Sequence, residues 1–155
     1  MFKVYNSKIL LLFSLVVMLI GTSAVAQPKA EQRAMPPAKE IMFTNGKWKD
    51  IAAQARKNGK YIFVDAFTTW CGPCRQLKNV TFKDAKAALY FNDNFINYTI
   101  DMEKDEGLTL AEKWHVAEYP SLLFFTPQGK LIMKQIGYVD AKKLIEFGEQ
   151  ALAKK

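Results

Sequence analysis

The sequence predicts an α/β domain in which a mixed central β-sheet is flanked by helices on both faces. Some apolar runs, such as residues 61–67, lack the polar alternation of a half-exposed strand. Such runs are typical of strands that helices cover on both faces. Stretches with apolar residues at helical spacing lie between these runs. The last two strands are separated only by residues 127–129, so they must pair antiparallel and the sheet is mixed.

The first half of the domain opens with a segment that has two interpretations. Residues 41–43 are either a short first strand or a strap on the domain edge. A helix follows, and Asn58 and Gly59 end it. The apolar side chains of this helix share one face: Trp48, Ile51, Ala52 and Ala55. The central strand is then expected at residues 61–67.

The second half alternates helices and strands. The residues after Cys74 continue a helix, and Asp84 is expected to cap a second helix that runs to about Phe91. We then expect a strand, a helix, two strands joined by the short turn and a C-terminal helix, at residues 95–101, 108–115, 121–126, 130–136 and 144–152.

Length and charge both indicate a single domain with an ordinary surface. Half of the 155 residues are hydrophobic, which is enough for one sizeable core. The formal net charge is +7, but the lysines are scattered among acids without a run of like charge. This pattern is typical of a solvated surface, so we expect no nucleic-acid binding.

The first 26 residues have the features of a secretory signal peptide. A short basic segment precedes an apolar stretch at residues 9–20, and Ala24-Val25-Ala26 is a cleavage site of the A-x-A type. Residues 27–40 are rich in proline and predict a flexible linker, so the domain spans residues 41–155. We expect export, to a periplasm. The alternative is an uncleaved membrane anchor, because residues 9–26 are just long enough to span a bilayer.

The two cysteines predict redox chemistry. Cys71 and Cys74 close a predicted strand and open a predicted helix. A helix N-terminus favours a thiolate and typically lowers a cysteine pKa from ~8.5 to roughly 3.5–7.5. Pro73 suits an early helical position, and Gly72 lets a substrate backbone come close.

Two other roles for the cysteines are less favoured. A structural disulfide stabilises mainly by closing a long loop, and this pair closes almost none. A closed zinc site needs four nitrogen or sulfur ligands, and the chain offers only two cysteines and His115. We therefore expect no metal, and His115 is expected to be an ordinary polar residue near a helix end.

Several short motifs together carry a resemblance to a known family. The segment at residues 70–74 resembles the thioredoxin active-site motif, and Asp65 matches the buried acid of that family. Further matches are Tyr119-Pro120, the turn at residues 128–130 and Gly137. Residues 81–84 are closer to the secreted thioredoxin-like branch that includes the C-terminal domain of the bacterial membrane reductant DsbD. The resemblance covers residues 48–153 and implies a thioredoxin fold.

The resemblance also implies roles for individual residues. Cys71 would be the exposed nucleophile, and Cys74 the buried thiol that resolves the mixed disulfide. Asp65 would lie beneath Cys74 and exchange a proton with it, unless it is an ordinary aspartate that reaches solvent at a strand end. The peptide bond before Pro120 would be cis beside the sulfurs, leaving the Tyr119 backbone free to pair with substrate.

Other expectations concern the surroundings of these residues. Trp70 would shield the sulfurs and contact substrate, or else be a core residue. The apolar neighbours of Asp65 predict a raised pKa, because burial disfavours the charged carboxylate. Asn97 aligns where cytosolic relatives carry a lysine near the buried acid, so the electrostatic environment of Asp65 is expected to differ from theirs.

The predicted function is that of an exported thiol–disulfide oxidoreductase that reduces protein disulfides through its Cys-Gly-Pro-Cys dithiol. It would act as a monomer without a cofactor, on disulfide-containing exported proteins, with a membrane thiol reductant as a possible electron donor. One alternative in the same class is an oxidase or isomerase. An alternative in another class is a non-enzymatic chaperone or cytochrome-maturation adaptor.

Overall fold

The structure is a computed structural model, and it describes residues 39–154. The predicted signal peptide and residues 27–38 of the predicted linker lie outside these described residues. Within them, α-helices alternate with the strands of one four-stranded sheet. The helices are α1 (Trp48–Asn58), α2 (Gly72–Asn79), α3 (Ala85–Asn94), α4 (Glu106–Trp114) and α5 (Ala141–Ala153). The strands are β1 (Tyr61–Phe67), β2 (Phe95–Asp101), β3 (Ser121–Phe125) and β4 (Leu131–Ile136).

The strand order is β2-β1-β3-β4, with β1 and β2 parallel. The two remaining pairs, β1 with β3 and β3 with β4, are antiparallel. The predicted mixed sheet is therefore confirmed, including the antiparallel pair across the short turn. β1 has a neighbouring strand on each side and is buried on both faces, which explains its almost continuous apolar sequence.

Local signals mark most of the helix ends. Gly59 ends α1 in the left-handed conformation, with φ of 65°. The Asp84 side chain accepts hydrogen bonds from the backbone N–H groups of Lys86 and Ala87, both at 2.9 Å, and so caps α3 as predicted. The largest shifts of predicted boundaries are in the helices: α3 runs on to Asn94 rather than about Phe91, α4 begins at Glu106 rather than at residue 108, and α5 begins at Ala141 rather than at residue 144.

Each face of the sheet buries its own apolar cluster, because neighbouring side chains of β1 point to opposite sides. Ile62, Val64 and Ala66 pack beneath helices α1 and α4. Phe63 packs on the opposite face with side chains of α2, α3 and α5. Asp65 shares this second face with Phe63, so a carboxylic acid lies at the edge of an otherwise apolar layer.

The segment before α1 is a strap rather than a strand. Its only sheet-like contact within residues 39–154 is a single bridge, Thr44 with Tyr98, at the outer edge of β2. The Ile41 N–H donates to the Phe82 carbonyl at 2.7 Å, and the Met42 N–H donates to Asn92 Oδ1 at 2.9 Å. We call residues 40–45 the edge strap. None of the helices within residues 39–154 has the length and apolarity needed to cross a membrane.

Candidate active site

The two cysteines lie where β1 ends and α2 begins. Cys71 is the N-cap residue of α2, and its Sγ accepts a hydrogen bond from the backbone N–H of Cys74 at 3.1 Å. Pro73 occupies the first turn of the helix, as its missing N–H allows. Cys71 and Cys74 form a disulfide, with their Cα atoms 5.3 Å apart. A sulfur at this position faces the positive end of the helix dipole, which favours a thiolate when the disulfide is reduced.

In the disulfide form, neither cysteine is exposed. Cys71 is 2% exposed and Cys74 is 7% exposed, so both are buried. The Cys71 sulfur lies at the first turn of α2, where the Cys74 N–H donates to it. That Cys71 is the exposed thiol of the reduced protein stays a prediction. Burial in the oxidised protein therefore does not distinguish the two sulfurs, and the distinction depends on the helix N-terminus.

Asp65 is buried on β1, on the face that packs against α2. Thr99 Oγ1 donates to Asp65 Oδ2 at 3.1 Å, whereas Oδ1 has no hydrogen-bond partner within residues 39–154. Burial raises the pKa of Asp65 from an ordinary 3.8 to about 7, and the Thr99 hydrogen bond and the charge of Lys78 partly oppose that rise. The predicted raised pKa is confirmed, and its main cause is desolvation.

Asp65 and Cys74 both line a cavity of about 690 Å³. Its walls come from the edge strap, from the end of β1 and from α2. Thr68 Oγ1, a second buried oxygen without a partner among the described residues, belongs to a residue that also lines the cavity. The cavity is large enough to hold water, so a proton can pass between Asp65 and Cys74 without direct contact of the two side chains.

Trp70 is an exposed side chain beside the disulfide rather than a core residue, with 64% of its surface accessible. Its indole Nε1–H donates to Glu103 Oε2 at 2.9 Å. Its ring meets the Tyr119 ring edge to face, with the centroids 6.0 Å apart. Burial, together with the charges of Glu103 and Asp101, raises the pKa of Tyr119, so its hydroxyl stays protonated at neutral pH.

Tyr119 and Pro120 reach the same end of the sheet as the cysteines. The Tyr119–Pro120 peptide bond is cis, as the resemblance implies. Ser121, the next residue, pairs with Ala66 near the end of β1. Pro120 therefore lies at the end of the sheet from which the loop to Cys71 departs. The Pro120 carbonyl accepts the Gly137 N–H at 2.8 Å, which accounts for a glycine at that position, where φ is 89°.

Sequence reasoning missed three neighbours of the predicted site residues: Thr99, Glu103 and Lys78. The strand register pairs Asp65 with Thr99, and it pairs Asn97 with Phe63 instead. The Asn97 amide binds Asn92 Oδ1 and the Met42 carbonyl, away from Asp65. The β1–β2 register therefore identifies Thr99 as the residue that hydrogen-bonds Asp65, and the electrostatic consequence of an asparagine at position 97 stays a prediction.

His115 ends α4 in the left-handed conformation, which agrees with its predicted role as an ordinary residue at a helix end. Within residues 39–154, there is no cluster of three or more histidine, cysteine, aspartate or glutamate side chains that could hold a metal ion.

A helix-capping disulfide next to a buried acid, on a mixed sheet between two helical layers, defines the class of thioredoxin-fold disulfide-exchange proteins. Comparison with family models matches residues 48–152 to the thioredoxin-like domain. The chain therefore belongs to the thioredoxin-like family, and the Cys71–Cys74 disulfide lies within the matched residues.

Relatives and solved structures agree with this assignment. The chain is 29% identical over 98 residues to the thiol:disulfide interchange protein DsbD of Yersinia pestis, a match that covers 61% of this chain and only 16% of that protein. It is 29% identical over 97 residues to thioredoxin H4-1 of Oryza sativa, covering 63% of this chain and 69% of the relative.

Two structural neighbours have the same fold. A candidate disulphide-isomerase from Bacteroides thetaiotaomicron is 38% identical, with a TM-score of 0.67, and the match covers 77% of this chain and 99% of that one. The oxidised C-terminal domain of DsbD from Neisseria meningitidis is 19% identical, with a TM-score of 0.57, covering 72% and 99% of the two chains. At 19% identity, the second match shows the fold alone.

Proposed function

We propose that this chain is an exported reductase of protein disulfides, with Cys71 as nucleophile, Cys74 as resolving thiol and Asp65 as the group that exchanges a proton with Cys74. The observation that carries the proposal is that Asp65 and Cys74 line the same cavity, where Cys74 belongs to a disulfide at the N-terminus of α2. We expect five further residues to surround the reacting sulfurs and to contact the substrate: Trp70, Gly72, Pro73, Tyr119 and Pro120.

The reaction would proceed by two thiolate exchanges. The Cys71 thiolate attacks one sulfur of a substrate disulfide, and the other substrate sulfur leaves as a thiolate and takes up a proton. Cys74 then gives its proton to the Asp65 carboxylate and attacks Cys71 Sγ. The bond between Cys71 and the substrate breaks, so the substrate gains two electrons and the enzyme becomes the Cys71–Cys74 disulfide.

The pKa of Asp65 suits this role. A proton acceptor works best when its pKa lies near the working pH, since both protonation states are then populated. At about 7, Asp65 can accept a proton from Cys74 and return it within one cycle near neutral pH. An ordinary aspartate would be almost fully ionised and a poor proton donor on the way back.

A disulfide isomerase is the second proposed function. It is favoured by the 38% identity to the candidate disulphide-isomerase from Bacteroides thetaiotaomicron. The chemistry at Cys71 would be the same, but the enzyme would leave the substrate with rearranged disulfides. The partners in either case would be disulfide-containing exported proteins. A thiol reductant of the membrane would return the pair to the dithiol form after each reduction, and the enzyme would act as a monomer without a cofactor.

Reduction of insulin by dithiothreitol, followed by turbidity, tests the proposed reductase. The wild-type protein should accelerate the reaction, and Cys71→Ser should abolish the acceleration. Cys74→Ser should form mixed disulfides that accumulate, because the first exchange remains possible and the second does not. No acceleration by the wild type would favour the non-enzymatic adaptor. Refolding of a test protein with scrambled disulfides tests the isomerase function. An isomerase would restore the native disulfides of that protein faster than it reduces insulin.

Limited alkylation assigns the roles of the two sulfurs. When the reduced protein reacts with limiting iodoacetamide, the label should appear first on Cys71, because the helix N-terminus stabilises its thiolate. Preferential labelling of Cys74 would reverse the proposed roles.

A further inference from the structure

A lysine lies at the open side of the cavity that Asp65 shares with Cys74. Lys78 is on α2, one helical turn after Cys74, and its side chain is exposed and lines the cavity. Its ammonium group belongs to neither of the two ion pairs found among residues 39–154. No carboxylate of this region therefore neutralises Lys78 by direct contact, and its charge acts across the cavity.

The other groups that face Asp65 do not supply the same charge. Thr99, from β2, is neutral and donates the hydrogen bond already described. Arg75, from α2, lines the cavity too, but its Nη1 donates to the Thr69 carbonyl at 3.2 Å, which holds the guanidinium towards the surface loop. Among the described residues, Glu40 of the edge strap is the one acid besides Asp65 that lines the cavity, and its negative charge would disfavour ionisation of Asp65.

We propose that Lys78 is a positioning residue for the reductive reaction: its ammonium group stabilises the Asp65 carboxylate across the cavity and keeps Asp65 able to take the proton of Cys74. This inference rests on the proposed function of Asp65 and deepens it. The charge of Lys78 lowers the pKa of Asp65, against the larger effect of burial. Lys78 thus acts on Cys74 only through Asp65.

The effect should grow as the pH falls from 9 towards the pKa of Asp65. With a pKa of about 7, about half of Asp65 is ionised at pH 7. Loss of a nearby charge through partly aqueous surroundings should raise that pKa by about half a pH unit, which leaves about a quarter ionised. A step that needs the carboxylate should therefore slow about twofold at pH 7 and be unchanged at pH 9.

The direct test is the titration of the Asp65 side-chain carboxyl carbon by ¹³C NMR in the disulfide form, which does not depend on activity. Lys78→Met should raise the midpoint by about half a pH unit, and Lys78→Glu should raise it further, because it reverses the charge. Lys78→Arg should keep the Asp65 midpoint at its wild-type value, because arginine keeps the positive charge. Lys83→Met is the matched control, since Lys83 is an exposed lysine in the 3₁₀ turn at Thr81–Lys83 and does not line the cavity.

The kinetic test uses single-turnover oxidation of the reduced protein by saturating disulfide substrate across pH. Lys78→Met should move the acidic limb of the pH–rate profile to higher pH. The same substitution should have no such effect when Asp65 is replaced by asparagine. An Asp65 midpoint that stays the same in Lys78→Met and Lys78→Glu would overturn the inference, even where Asp65 is needed for activity. If instead Asp65→Asn keeps the wild-type rate profile, the proposed role of Asp65 fails, whatever the titration shows.

Discussion

Burial decides the chemistry of Asp65, the buried acid of the site. Asp65 lies between Thr99 of β2 and Leu122 of β3 in the sheet, and only one of its two carboxylate oxygens has a hydrogen-bond partner among the described residues. A carboxylate in such surroundings loses its hydration without full replacement, so the protonated form is favoured. The same feature that prepares Asp65 for proton exchange should therefore reduce the stability of the folded protein at neutral pH.

We predict that Asp65→Asn makes the protein more stable near neutral pH. The folded state binds the Asp65 proton more tightly than the unfolded chain, so the contribution of Asp65 to the unfolding free energy is highest below about pH 3.9. It declines up to about pH 7 and is level above that value. The decline is on the order of 4 kcal/mol, and asparagine keeps the shape of the side chain without titrating.

Denaturant melts of the wild type and Asp65→Asn between pH 4 and 9, both in the disulfide form, measure this difference. The gap between the two curves should widen with pH up to about 7 and then stay constant. Parallel curves would mean that Asp65 is hydrated and ordinary, and its proposed catalytic role would lose its physical basis.

A second prediction concerns Glu103, which holds the exposed Trp70 by a hydrogen bond. Glu103→Gln keeps an acceptor for the indole N–H, whereas Glu103→Leu removes it. We expect Glu103→Leu to mobilise Trp70 and to lower kcat/KM for insulin reduction about two- to fivefold, since a solvent-exposed polar contact contributes up to about 1 kcal/mol. Glu103→Gln should stay close to the wild type.

Activity measurements and the indole ¹⁵N–¹H signal of Trp70 report on this effect. Glu112→Leu, an exposed glutamate on α4, is the matched control. An equal loss of activity in Glu112→Leu would show that the loss comes from surface charge and not from the position of Trp70.

The relation between neighbouring elements depends on register and on close contacts. Parallel pairing of β1 with β2 brings Thr99 to Asp65, and residues of the edge strap line part of the cavity. On the same face, α5 crosses α3 at Gly148. A Cβ atom at that position would lie 2.7 Å from Tyr90 Cε1 and 3.2 Å from Phe91 Cζ. The two helices therefore approach as closely as they do because residue 148 has no side chain.

We predict that Gly148→Ala destabilises the fold, although alanine is the better helix former. The propensity gain is about 1 kcal/mol, and overpacking typically costs 1–3 kcal/mol. Because Phe91 is fully buried and cannot move aside freely, we expect a net loss of about 1 kcal/mol in urea melts. Gln150→Ala, at an exposed position of the same helix, should change stability by less than about 0.5 kcal/mol. A stabilised Gly148→Ala would show that α3 and α5 can separate without cost.

At the scale of the whole molecule, one end of the sheet carries the redox site. The loops that leave β1 and β2 at their C-terminal ends meet there, since the Met102 N–H donates to the Phe67 carbonyl at 2.9 Å. The cis bond at Tyr119–Pro120 precedes β3 at the same end because β3 runs antiparallel to β1. Two apolar clusters, one on each face, hold the sheet that sets these distances.

We predict that the protein is exported and that its N-terminal segment is removed. We expect protein recovered from its native envelope fraction to begin at Gln27, because the segment at residues 24–26 fits a signal-peptidase site. Ala26→Leu should block cleavage and leave the chain in the membrane, with Ala34→Leu, beyond the site, as the control. N-terminal sequencing distinguishes the results. An intact Met1 in washed membranes of the wild type would establish the uncleaved anchor instead.

Much of this molecule could be predicted from local patterns. The bounds predicted for β1 and β2 match the structure, as does the cap at Asp84, because hydrophobic periodicity and capping chemistry act within a few residues. The redox pair was equally visible, since a strand end, two cysteines and a helix start are contiguous in the sequence. The cis bond before Pro120 followed from family resemblance rather than from any local rule.

The fold class, the cysteine pair and the acid inside an apolar strand were all visible in the sequence. Three features became visible only in the folded chain: Cys71 is buried in the disulfide form, Thr99 adjoins Asp65, and Glu103 holds Trp70. The last two contacts join residues 34 and 33 positions apart. Such contacts depend on strand register and on how loops meet at the end of the sheet, and these follow from packing of the whole chain rather than from any short segment of it.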